Sequence, residues 1–133
     1  MSAPLQQLQR PPVLHPDDTQ TLYRCQALAA HLCALIGVPD AVLEPKRRPL
    51  ALSAVGLCYV QERRMSVTLR YRQHAEDGGR WWSKPLPWEE VRDTVAHECA
   101  HLRYRGHGAE FKALHARLAE AAERWDAAQG RAA

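Results

Sequence analysis

The amino-acid sequence predicts an α+β domain, and three observations carry that expectation. Apolar residues recur at helical spacing between Leu22 and Ile36. Two strand-like runs follow between Ala54 and Arg72, and two more helical stripes occupy about 88–104 and 109–128. The order is an N-terminal helix, a small antiparallel sheet, then two helices, in a chain of 133 residues that suits one domain.

Residues 1–16 carry Pro4, Pro11, Pro12 and Pro16 with little apolar periodicity, and are expected to form a flexible N-terminal arm before a single domain at 17–133. Asp17 and Gln20 have the spacing of a capping pair for the first helix. Its stripe is Leu22, Cys25, Ala29, Leu32, Cys33 and Ile36, and Gly37 with Pro39 stops it. Pro39, Pro45 and Pro49 mark 38–49 as a connector. The runs AVGLCYVQ (54–61) and MSVTLRYR (65–72) read as strands. In the second, Val67, Leu69 and Tyr71 share one face, while Ser66, Thr68, Arg70 and Arg72 share the other. The short link at 62–64 implies an antiparallel hairpin. Gly78, Gly79, Pro85 and Pro87 make 73–87 a long loop with room for a short edge strand at 81–84. The next helix presents Val91, Val95, Cys99 and Leu102 inward, and the last presents Phe111, Leu114, Leu118, Ala122 and Trp125.

Bulk properties narrow the function classes. No apolar run approaches the ~20 residues that span a bilayer. The first residues lack a charged, apolar, then small pattern, so a cytoplasmic protein with no membrane partner is expected. Cys25, Cys33, Cys58 and Cys99 form no CxxC pair and read as buried small hydrophobes rather than a disulfide framework. A net charge of +3 is too mild to identify a partner. Lys46, Arg47 and Arg48, the scattered arginines, and the adjacent Trp81 and Trp82 would suit single-stranded nucleic acid, where bases stack and phosphates pair. The simpler reading is that the tryptophans, Trp88 and Trp125 included, cover the core while the arginines are solvated.

The chemistry-bearing motif is His97-Glu98-Cys99-Ala100-His101, or HExxH. Residues four apart on a helix differ by about 40° around its axis, with Cβ atoms ~5–6 Å apart. Two such imidazoles can converge on one ion at Zn–N distances of about 2.0–2.1 Å. Glu98 lies about 100° further round, placed to take a proton from zinc-bound water. Composition alone predicts about 0.025 chance matches, so the context matters. That context is an amphipathic helix and a third histidine, His107, flanked by Gly106 and Gly108. Glycines on both sides would let the backbone reverse and turn His107 back toward the first two. One zinc held by His97, His101 and His107, with Glu98 as base, is the expected site. His15, His31, His74 and His115 have no ligand-spaced partner and are read as outside it, His115 packing beside the core face of the last helix.

The segment HECAHLRYRGHGAEFKAL (97–114) resembles the active-site segment of SprT-like and YgjP-like zinc metallopeptidases, with Phe111 as the aromatic four residues after the third histidine. VGLCYVQERRMSVTLRYR upstream more weakly resembles their hairpin. The resemblance implies a minimal zincin-like metallopeptidase domain that takes one Zn2+ per chain, cleaves protein or peptide substrates and has a DNA association. Tyr104 stands where metzincins, which share the ligand spacing, place a glycine. Other zincins take their third ligand from a glutamate on the following helix, for which Glu110, Glu120 and Glu123 are the candidates. Tyr104, Tyr71 and Arg105 are unranked candidates for stabilising an oxyanion. Two alternatives stay open: a zinc-dependent hydrolase of nucleotide phosphoanhydrides, of YgjP-like type, and a DNA-associated binding module with little catalysis.

Overall fold

The structure, a computed structural model, describes residues 16–45, 56–70 and 84–132. Lys46, Arg47, Arg48, Tyr71, Trp81 and Trp82 lie outside the described residues, as do most of the N-terminal arm and of the 73–87 loop. Among the described residues there are three α-helices, α1 (Thr19–Ile36), α2 (Trp88–His101) and α3 (Ala109–Ala132), and three strands, β1 (Val42–Pro45), β2 (Gly56–Tyr59) and β3 (Arg64–Val67).

The first helix starts differently from the Asp17–Gln20 expectation. A short 3-10 turn, Pro16–Asp18, leads in, and Asp18 occupies the capping position without a side-chain cap. Its carboxylate instead accepts two hydrogen bonds from Arg70, Nε at 2.7 Å and Nη2 at 2.9 Å. A bidentate charge-assisted pair is stronger than a local cap, and it ties the helix start to the chain beyond β3. Gly37 ends the helix as expected, left-handed at φ 71°, with Val38 N–H bonded back to Cys33 at 3.0 Å.

The sheet corrects two expectations. It is mixed rather than antiparallel, in the order β1-β3-β2, with β1 parallel to β3 and β2 antiparallel. The proline-marked connector contains β1. Its edge is pinned by a helix side chain, because the Gln26 amide donates to Ala41 O and accepts from Leu43 N–H, both at 2.9 Å. Pro45 closes this edge strand, where its missing donor costs little. The predicted hairpin is present, turning through residues 60–63 with Arg63 at φ 51°. Val67 and Leu69 are buried as expected, but so is Thr68, because regular alternation ends with the strand at Val67. The chain then pairs Arg70 with Pro85, and Leu86 N–H bonds to Leu69 O at 2.9 Å.

The core lies between the sheet and the helices. Leu28, Leu32, Met65, Val67, Val91, Val95 and Leu118 are buried in it, and Leu102, Trp88 and Trp125 pack at its border. The cysteines are free, and Cys25, Cys33 and Cys99 are buried. Burial pushes the Cys25 thiol up to about 12, which makes it inert at neutral pH.

At one end of the helix group, Asp126 of α3 accepts hydrogen bonds from Trp88 Nε1 and Arg92 Nη1 of α2, both at 2.7 Å, and from Arg24 Nη2 of α1 at 3.2 Å. Arg24 also lies over the Trp88 ring, 3.9 Å from its centroid.

Candidate metal centre

The opposite end of the α2–α3 pair carries the histidines. The α-helix ends at His101, three residues short of the expected Tyr104. It tightens into i→i−3 bonds from Leu102 N–H to Cys99 O and from Arg103 N–H to Ala100 O, each 3.1 Å. The turn that follows delivers His107 just before α3 begins. Neither Gly106 nor Gly108 takes a positive φ, and a Cβ at either would meet open space. The reversal therefore does not depend on glycine freedom, which corrects the reason given for those residues.

His97, His101 and His107 converge, with one ligand nitrogen from each lying within 4.8 Å of the others. The first two rings are half-buried and His107 is exposed. His101 Nδ1 lies 2.9 Å from the Tyr104 carbonyl, which can only accept, so Nδ1 carries the proton. The other ring nitrogen, His101 Nε2, faces His107 Nε2 at 3.0 Å. A carbonyl that fixes the tautomer from behind is the usual support of a metal-binding imidazole. Burial, followed by the neighbouring imidazoles of His101, His115 and His107, pulls His97 down to about 4. It is neutral at physiological pH, the form in which histidine ligates. The donor set fits one divalent metal ion with three nitrogen ligands and an open position.

Phe111 floors the cluster. Its ring stacks on His101 at 4.4 Å and meets His97 and His107 edge-on at 4.9 and 5.0 Å. At 3% exposure it belongs to the core as well as to the site.

Glu98 is 4% exposed, one residue from the cluster. Its charge is felt by two neighbouring thiols. Burial, then Glu98, then Cys33 raise Cys58 to about 11. Cys99 is raised by a hydrogen bond with Cys33, by burial, and by further charges that include Glu98.

The other expected residues scatter. Arg105 is exposed. The Tyr104 ring packs against the core and lines a cleft with Leu35, Ile36 and Leu114. Glu110 lines that same cleft, Glu123 pairs with Arg92 at 3.8 Å, and Glu120 pairs with Arg124 at 4.0 Å. His31 is exposed on α1, away from the histidine group in sequence and in element.

One residue set aside on sequence grounds is brought to the cluster. The His115 ring lies 4.9 Å from His97 and 5.8 Å from Phe111, and its Nε2 is 3.2 Å from Asp93 Oδ1. The signal was present in the spacing. Asp93, His97 and His101 recur every four residues on α2, and the same spacing runs from His107, just before α3, to Phe111 and His115 on it.

Fold and site together define a class: an α+β domain with a mixed three-stranded sheet and a three-histidine cluster suited to a metal ion. The chain is similar in structure to a single-residue mutant of Wss1 from S. pombe, with a TM-score of 0.59 and 15% sequence identity, over 80% of this chain and 86% of that one. At that identity the likeness shows a Wss1-like fold. No protein-family model matches the chain, and no curated protein matches it in sequence.

Proposed function

We propose that the protein is a zinc-dependent metallopeptidase of the SprT-like zincin type, its single domain spanning 17–133. The observation that carries this reading is the convergence of His97, His101 and His107 next to the buried Glu98, on a Wss1-like fold. A zinc ion held by the three imidazoles supplies a Lewis acid that polarises a carbonyl and lowers the pKa of water from ~15.7 toward ~7.

The chain's own residues do the rest. Glu98, about 100° around α2 from His97, accepts the proton of the attacking water and returns it to the leaving nitrogen. Its burial removes competing water from the base. Tyr104 O and Phe111 hold the ligand rings in place from behind and below. Substrates are proteins or peptides, and the SprT-like resemblance extends this to DNA-associated proteins. No helix among the described residues is long and apolar enough to cross a membrane.

Metal analysis of wild type, His107→Ala and Glu98→Gln tests this reading. One zinc per chain is expected in the wild type, sharply weakened binding in His107→Ala, and full zinc without peptide turnover in Glu98→Gln, a loss of roughly 10²–10⁴-fold. A folded wild type that takes up no metal overturns the reading. Turnover of nucleotides but not peptides by the same zinc-loaded sample would make it a phosphoanhydride hydrolase instead.

A further inference from the structure

The three histidines are not supported equally. His101 is held on both ring nitrogens, by Tyr104 O and by His107. His107 shares one of those bonds. His97 has only ring contacts among the described residues. Phe111 meets it at 4.9 Å and 76°, and His115 meets it at 4.9 Å and 89°. His101 adds a third edge-on ring at 4.8 Å and 78°. These perpendicular partners restrict rotation about χ2, which otherwise sits in a broad well. Phe111 is locked in the core, and His101 is held by the Tyr104 carbonyl. The remaining partner is an imidazole with 23% of its side chain exposed, and such a ring stays put only if something anchors it.

Asp93 is that anchor. It lies one helical turn before His97 on α2, and its carboxylate reaches across to His115 Nε2 on α3 at 3.2 Å. The chain of contacts runs from Asp93 through His115 to His97, and it starts and ends on the same helix. It crosses between α2 and α3 twice.

We infer that His115, anchored by Asp93, is a positioning residue that fixes the ring of His97 for metal binding. The inference rests on the three-histidine reading and extends it to a residue outside the ligand set. Ligand rings elsewhere are oriented by hydrogen bonds to carboxylates or carbonyls, and loss of such a partner typically weakens metal binding roughly 10–100-fold. Here the carboxylate acts through an intervening ring.

Zinc affinity by chelator competition, the visible spectrum of the cobalt-loaded protein, and urea unfolding of the metal-free protein test this on wild type, His107→Ala, His115→Ala, His115→Phe and Asp93→Ala. His115→Ala is expected to keep one metal per chain, to bind it roughly 10–100-fold more weakly, and to shift the cobalt bands, with metal-free stability unchanged. His115→Phe restores a perpendicular ring without nitrogen and recovers most of the affinity and the wild-type spectrum. Asp93→Ala falls between wild type and His115→Ala.

Wild-type affinity and spectrum in His115→Ala overturn the inference. So does loss of the metal stoichiometry, which would make His115 a ligand, or failure of His115→Phe to rescue. An affinity loss matched by an equal loss of metal-free stability would make the role merely structural, and also overturns it. A wild type that binds no metal overturns the proposed function itself, whereas wild-type binding with an unaffected His115→Ala overturns this inference alone.

Discussion

The α2–α3 pair ends in two polar clusters built on opposite principles. Around Asp126 every charge is answered within the protein: one carboxylate accepts from Trp88, Arg92 and Arg24, and Arg24 covers the Trp88 ring. Around His97 the three converging side chains are all lone-pair donors, and one hydrogen bond between His107 and His101 is the only one they share. The Asp126 cluster is complete as it stands and holds the helices together. The histidine cluster gathers groups that interact weakly with one another and would bind a cation well. That contrast separates a structural network from a site.

Phe111 belongs to both the core and the site, so it gives the largest expected effect. Phe111→Ala removes a ring that is 3% exposed and is expected to cost about 3–5 kcal/mol. It also removes the surface on which His101 stacks, so metal affinity falls with stability. Urea unfolding with chelator present measures the first effect and chelator competition the second. Loss of stability with metal affinity intact would detach the ring from the site.

Asp126→Ala tests the opposite end. It leaves two arginines and an indole N–H without their acceptor, and about 2–3 kcal/mol of stability is expected to go. Metal affinity should be untouched, since none of the four residues contacts a histidine of the cluster. Addition of zinc should stabilise this variant and the wild type equally, while His107→Ala loses that response. A weakened metal site in Asp126→Ala would mean that the two ends are coupled through the helices.

How much of this was legible beforehand follows from how far each interaction reaches. HExxH is local, and helical geometry alone places His97 and His101 together, while His107 follows across one short turn. The amphipathic stripes of α1, α2 and α3 were legible for the same reason. His115 and Asp93 required the register between two helices, although their four-residue spacing from Phe111 and His97 was visible. β1 was hidden because its pinning group is Gln26, 15 and 17 residues away on a helix, and prolines disguised the strand. The pair of Asp18 with Arg70 spans 52 residues, and it displaced a cap that local rules favoured. The glycines beside His107 misled in the other direction, since the turn they flank needs no left-handed residue.

The two ends should also part company in acid. Burial raises the Asp126 carboxyl, but hydrogen bonds from Arg92 and Trp88 and the charges of Arg24 and Arg92 outweigh it and hold the group below its ordinary 3.8. A carboxyl depressed in the folded state contributes stability that is fully present above its unfolded value. That contribution is lost as pH falls through the lower folded value, because the unfolded chain binds the proton first. The difference in unfolding free energy between wild type and Asp126→Asn should therefore be constant above about pH 5 and shrink below about pH 4. The amide keeps the shape of the carboxylate and one acceptor oxygen, so the size of the difference should stay below that of Asp126→Ala. Urea unfolding of both proteins from pH 6 to pH 3 measures it, with chelator present so that metal release from the histidines adds nothing. Other carboxylates titrate in both proteins and cancel. A difference that stays flat down to pH 3 would mean that the arginines around Asp126 do not depress it, and that this end is held by hydrogen-bond geometry rather than by charge.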